Sequence, residues 1–260
     1  MSAAEKFSEL LTIMSRLRSS EGCPWDREQD IHSLRVYLLE EVYELIDAMD
    51  DENWPVIKEE LGDLLFHIVF QAQLAREKDE FTMADILEHI SHKITSRHPH
   101  VFADGDKLTS PDQVENQWEK LKLREGKRSV LGGVPRSLSA LVRAYRVQEK
   151  AASVGFQWDD IQGAVSKLDE EYGEFRERLE QGDREGMTEE LGDFMFSMVN
   201  VSRYLKLSPE DALRGTVNKF MLRFQYIESK LAEQGSSPAT ATLTEMDALW
   251  NEAKQKALTP

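Results

Sequence analysis

The chain has 260 residues, 48 acidic against 32 basic, and a formal net charge of −16. That length suits one large domain or two ordinary ones, and the charge disfavours a general nucleic-acid or anionic-membrane surface, since both need a basic face. With Cys23 the one cysteine, an intramolecular disulfide and a Cys-rich zinc site are excluded, and a reducing compartment fits.

At the chain start, Phe7, Leu10, Leu11, Met14 and Leu17 recur at helical spacing. The opening MSAAEKFSEL has no apolar core of signal-peptide type, and no apolar run is long enough to span a bilayer. A soluble cytoplasmic protein is therefore expected. A loop with Gly22 and Pro24 precedes a helix over about 33–50, and Pro55 suits the first turn of a long helix running to about 77. Thr82 and Ser110 read as helix N-caps, as do Ser208 of SPED and Thr244 further on. Gly132, Gly133 and Pro135 interrupt helical periodicity within GKRSVLGGVPRS, 126–137. No convincing alternating strand run occurs, so the expected class is all-α.

The chain repeats itself. Glu41, Glu44, Glu60 and Asp63 recur as Glu171, Glu174, Glu190 and Asp193, all 130 residues later. Trp25 of GCPWD is answered by Trp158 of VGFQWD, Lys93 and Arg97 by Lys219 and Arg223, and Trp118 and Lys122 by Trp250 and Lys254. The order is kept while the offset drifts, as loop insertions would make it. This reads as a tandem duplication, with one repeat in 1–128, a linker at 129–137 and a second repeat in 138–260.

Glu41 and Glu44 are three apart and share a helix face, as do Glu60 and Asp63 on the next helix. A short turn makes the two helices antiparallel neighbours. Four carboxylates are thus expected to converge in each repeat, a donor set suited to Mg²⁺ or Mn²⁺. Glu40, Glu59, Glu170 and Glu189 read as ordinary solvated acids. Gly62 and Gly192 beside the acids suggest close packing, because an internal helix glycine costs ~1 kcal/mol relative to Ala. A di-iron bundle would pair Glu with Glu-x-x-His; neither acidic pair ends in His, and His67 is matched by Ser197.

Cations and aromatics accompany the acids. Lys219 and Arg223 are one turn apart, as are Lys93 and Arg97, and both residue types suit phosphate oxygens. Trp250 stands one turn before Lys254, a spacing at which a Trp stacks on a base while a Lys reaches a phosphate. Lys167 precedes Glu171 by one turn, where the first repeat has Tyr37. The bland alternative is a core Trp with exposed surface cations. A hard metal with a base-bearing polyphosphate accounts for the set with little left over.

In these residues the chain resembles the MazG family of nucleoside triphosphate pyrophosphohydrolases, whose superfamily is marked by EExxE followed by ExxD. Here these are EEVYE (40–44) with ELGD (60–63), and EEYGE (170–174) with ELGD (190–193). The likeness extends to GCPWD, RHPHVF and VGFQWD and matches the two-repeat bacterial form. It implies an all-α dimer that hydrolyses an NTP to NMP and pyrophosphate with Mg²⁺, or Mn²⁺ in its place. It further implies that Glu171, Glu174, Glu190 and Asp193 bind metal, one of them taking a proton from the attacking water. Lys219, Arg223, Trp250 and Lys254 would hold the nucleotide, with Lys167 within reach.

Both repeats keep all eight matched positions. The second is the favoured catalytic copy, because it adds Lys167 and because Pro99 breaks the first repeat's helix just after Arg97. Glu41, Glu44, Glu60, Asp63, Lys93, Arg97, Trp118 and Lys122 then form a second active site or a structural one. Two rival readings stand: a specialised dUTP, dCTP or damaged-nucleotide pyrophosphatase, and a non-catalytic helical module with structural metal sites.

Overall fold

The computed structural model describes residues 1–103, 108–110, 113–114 and 129–256, and all regular structure among them is helical. The chain divides into two compact units, Met1–Thr109 and Ser110–Pro260.

In the first unit α1 (Ala3–Leu17) starts at Ser2, whose hydroxyl accepts from the Glu5 amide while Glu5 returns the bond. The expected loop at Gly22 and Pro24 contains a short helix, α2 (Pro24–Glu28), with Pro24 in its first turn. Helices α3 (Arg35–Asp50) and α4 (Trp54–Glu77) follow close to the expected bounds. Thr82 caps α5 (Met83–Arg97) through a reciprocal pair with Asp85. Pro99 ends that helix and opens the four-residue α6 (Pro99–Phe102).

The α3–α4 hairpin is held at two places. Met14, Leu34, Val69, Phe70 and Leu74 form a buried cluster joining α1 to α4, with Phe7, Leu10 and Leu11 packed around it. A smaller cluster, Leu45, Ala48 and Ile57, closes the hairpin near its turn. Arg18 ties these parts together: its guanidinium donates to the carbonyls of Asp26 and Gln29, pairs with Glu77, and lies over the Phe70 ring.

In the second unit α7 (Ala140–Ala152) packs on both α9 (Arg184–Tyr204) and α10 (Pro209–Glu233). The hairpin partner of α9 is α8 (Ile161–Gln181), which Asp160 caps by accepting from the amides of Gln162 and Gly163. Gly182 ends α8 at φ +69°, a left-handed conformation that costs a residue with a Cβ, and Asp183 caps α9 immediately after. Ser208 caps α10 as expected. The start of α11 (Leu243–Gln255) differs from expectation: Thr242 is the cap, bonded reciprocally with Glu245, and Thr244 lies inside the first turn. Ser110 accepts from the Gln113 amide at 3.3 Å, as an N-cap does.

One packing expectation fails. A Cβ added at Gly62 or Gly192 would meet nothing within 4 Å. Among the described residues, neither glycine has a close neighbour in its own chain that requires it. Both belong to helix faces whose large apolar residues are exposed, Leu61, Leu65 and Ile68 on α4 and, 130 residues on, Leu191, Met195 and Met198 on α9.

Candidate active site

Each antiparallel hairpin brings three carboxylates together. In the first unit oxygens of Glu41 on α3 and of Glu60 and Asp63 on α4 lie within 4.8 Å of one another. In the second, Glu171 and Glu174 on α8 meet Glu190 on α9 within the same distance. The triads differ in membership: Glu44 is outside the first and Asp193 outside the second. Glu44 is nonetheless near enough to raise the proton affinity of both Glu41 and Glu60.

These groups are under electrostatic pressure. Burial first, and then the charges of Asp63 and Glu44, push the Glu41 carboxyl above its ordinary value. Burial, Glu44 and Glu41 do the same to Glu60, and burial, Glu171 and Glu190 to Glu174. Glu60 is 8 % exposed, and its Oε2 has no hydrogen-bond partner. A divalent cation relieves both the mutual repulsion and the unsatisfied oxygen, so the donor set fits a hard metal ion.

The positive groups around the triads differ. Lys167 reaches both Glu170 and Glu171 at 2.7 Å, and these contacts hold its ammonium well above the ordinary lysine range. Arg178 donates its Nε to Glu190 at 3.5 Å and lies 3.7 Å from Asp183. Sequence reading passed over Arg178, although it follows Glu174 by one helical turn and therefore shares its face. At the first triad His67 stands one turn after Asp63, with its Nε2 4.0 Å from Glu41. Tyr37, at the place of Lys167, makes an edge contact with Trp25 at 5.8 Å instead.

The remaining expected residues form a separate group. Arg223 lies over the Trp250 ring at 5.5 Å, and Phe220 packs against the same ring at 5.2 Å. These contacts join α10 to α11, with Lys219 one turn before Arg223 and Lys254 one turn after Trp250. Lys254 contacts Asn251 at 3.4 Å. Lys93 and Arg97 sit half-buried on α5, which packs on α4. Trp118 and Lys122 lie outside the described residues.

Two cavities sit at equivalent places in the repeat. The first, about 240 Å³, is bounded by Trp25, Tyr37, Phe66 and His67 and by Glu41 and Asp63 of the triad. The second, about 570 Å³, is bounded by Trp158 and Phe196, the repeats of Trp25 and Phe66, and by Phe156, Gln148 and Asn200. Gln148 there donates to the Phe196 carbonyl at 2.8 Å while its Oε1 is buried without a partner.

Fold and site together define an all-α protein with two helical hairpins, each gathering a triad of carboxylates. The MazG nucleotide pyrophosphohydrolase domain matches residues 29–102 and 161–227, one segment per hairpin. The chain is 43 % identical over 251 residues to the nucleoside triphosphate pyrophosphohydrolase/pyrophosphatase MazG of Thermotoga maritima, covering 95 % of both chains. It is 40 % identical over 260 residues to the nucleoside triphosphate pyrophosphohydrolase of Escherichia coli K12, covering 97 % of this chain and 98 % of that one. It is also 41 % identical to the protein YabN of Bacillus subtilis, covering 96 % of this chain but 52 % of YabN. The chain belongs to the MazG family.

Proposed function

We propose that this protein hydrolyses nucleoside triphosphates to nucleoside monophosphate and pyrophosphate with Mg²⁺, or with Mn²⁺ in its place. The observation that carries the reading is the pair of acidic triads, each gathered within 4.8 Å by a hairpin that the family domain covers. Mg²⁺ held there supplies Lewis acidity toward the phosphate oxygens and toward the attacking water.

The chain's own residues do the rest. Glu171, Glu174 and Glu190 would hold the ion, with Asp193 one turn after Glu190 available to complete the set. A glutamate of the cluster would take the proton of the attacking water. Lys167 and Arg178 pair with carboxylates of the triad. With those oxygens given over to an ion, both cations would be available to the phosphates of the substrate. Lys219, Arg223, Trp250 and Lys254 bind the nucleotide from α10 and α11. In the first unit the aromatic cavity opens directly onto Glu41 and Asp63, which suits a planar base beside a metal-bound polyphosphate.

The second repeat, 138–260, is the catalytic one in this reading; Glu41, Glu44, Glu60, Asp63, Lys93, Arg97, Trp118 and Lys122 belong to the first, 1–128. A homodimer accompanies it, because the repeated apolar faces of α4 and α9 need cover. The protein acts in the cytoplasm on free nucleotides.

The test is a panel of canonical and modified NTPs and dNTPs with Mg²⁺, scored for both pyrophosphate and orthophosphate. Pyrophosphate and NMP are expected as first products. NDP and orthophosphate as first products would overturn the reading, and a sharp preference for dUTP, dCTP or one damaged nucleotide would replace it with the specialised form.

A further inference from the structure

The two triads do not offer an incoming ion the same donors. His67 follows Asp63 by one turn of α4, so the two side chains share a face. It is 7 % exposed and borders the same cavity as Glu41 and Asp63. Its Nε2 lies 4.0 Å from Glu41 Oε1, too long for a hydrogen bond. Two ligands of one ion, each about 2.1 Å from it, can stand up to about 4.2 Å apart. Two further atoms, His67 Nδ1 and Glu60 Oε2, are buried there without partners. His67 stands outside the 4.8 Å grouping of Glu41, Glu60 and Asp63 and reaches it through Glu41 alone, so an ion on the Glu41 side of the triad is the one it can meet. The register places Ser197, also buried, at the matching position of the second triad. A hydroxyl there leaves that donor set all oxygen.

We propose that His67 supplies a nitrogen donor to the N-terminal site, so that this site prefers a first-row transition ion over Mg²⁺ while the C-terminal site does not. Imidazole favours transition ions, whereas carboxylates alone suit Mg²⁺ as well. The inference rests on the reading of the triads as metal sites given above, and it assigns the two copies different ions. The N-terminal site then stays loaded with a transition ion under conditions in which the C-terminal site exchanges Mg²⁺ with its nucleotide.

The experiment uses the full chain without nucleotide and Mn²⁺ as the probe. Electron spin-echo modulation should show a coordinated ¹⁴N in the wild type and in Glu190→Gln, and lose it in His67→Ser. Mn²⁺ titration should show the N-terminal site weakened by at least about tenfold in His67→Ser, with Mg²⁺ affinity changed by less than about threefold. Circular dichroism checks the fold; should His67→Ser lose helicity, His67→Gln carries the same comparison. Mn²⁺ binding that Glu60→Gln removes but that shows no ¹⁴N coupling overturns the proposal, as does a ¹⁴N signal that survives His67→Ser. Pyrophosphate release is scored separately. A nitrogen-ligated ion in a chain that turns over no NTP sinks the catalytic reading and leaves this one standing. Turnover without ¹⁴N coupling does the reverse.

Discussion

Glu174 is where residue-scale chemistry is most exposed to test. It lies within 4.8 Å of Glu171 and Glu190, and burial and those two charges raise its proton affinity. Glu174→Gln keeps the shape and removes one ligand charge. Turnover should fall by at least about 100-fold, since a ligand charge of the ion that stabilises the phosphates is lost, while far-ultraviolet circular dichroism is unchanged. Rates near wild type would move the active site to the first repeat. Arg178 is the residue that sequence reading passed over, paired with Glu190 and Asp183. Its signal was present in the helical spacing from Glu174. Which of many spaced cations meets the opposite helix depends on how two helices cross, and spacing along one helix does not specify that.

At the scale of elements, Arg18 sets the first unit together by joining the end of α1 to the α2 loop and to α4. Its side chain is 10 % exposed and that of Glu77 33 %. Arg18→Met leaves two carbonyls and a carboxylate short of a donor, and should cost about 2–3 kcal/mol in urea unfolding. The Arg18 hydrogen bond holds the Glu77 carboxyl below its ordinary value of 4.5, against burial. A depressed folded value means that the pair's stabilisation is complete above pH 4.5 and is lost as pH falls through the lower, folded value. The stability gap between wild type and Glu77→Gln should therefore be largest near pH 7 and close on acidification toward pH 3. A gap independent of pH would show that Glu77 contributes packing and not charge. Elements were the most legible part of the sequence, because caps and prolines are local chemistry: Thr82, Ser208 and Pro55 mark true starts. Thr244 was misplaced by two residues although Thr242 and Glu245 carry the capping-box spacing. Gly62 and Gly192 misled for a different reason. A helix glycine signals close approach without saying whether the neighbour belongs to the same chain.

The repeat was readable because eight matched positions carry the same residue across an offset that barely drifts, and the family domain matches one segment in each half. Less readable was where the duplicates part. The apolar faces repeat faithfully, Leu61, Leu65 and Ile68 against Leu191, Met195 and Met198. Gly192→Leu should therefore drive the proposed dimer toward monomer in light scattering, while Gly192→Ala, adding a Cβ with no described neighbour within 4 Å in its own chain, is tolerated. A wild type that is monomeric at micromolar concentration would remove the basis of both expectations.

The positive groups diverge where the faces do not. Lys167 and Arg178 serve the second triad, whereas Tyr37 and His67 stand by the first, and α5 ends at Arg97 with Pro99 two residues on. Phosphate binding depends on cations held in fixed geometry, and misplacing a group by roughly an ångström can cost ~100-fold in rate. Lys219 and Arg223 sit inside a continuous α10, whereas Arg97 is the last residue of its helix. With Mg²⁺ and substrate saturating, Glu190→Gln should therefore lose at least about 100-fold in turnover, while Glu60→Gln keeps most of it. Losses of about half in each would show two equivalent sites. A larger loss from Glu60→Gln would place catalysis on the first triad, where the aromatic cavity already opens onto the carboxylates.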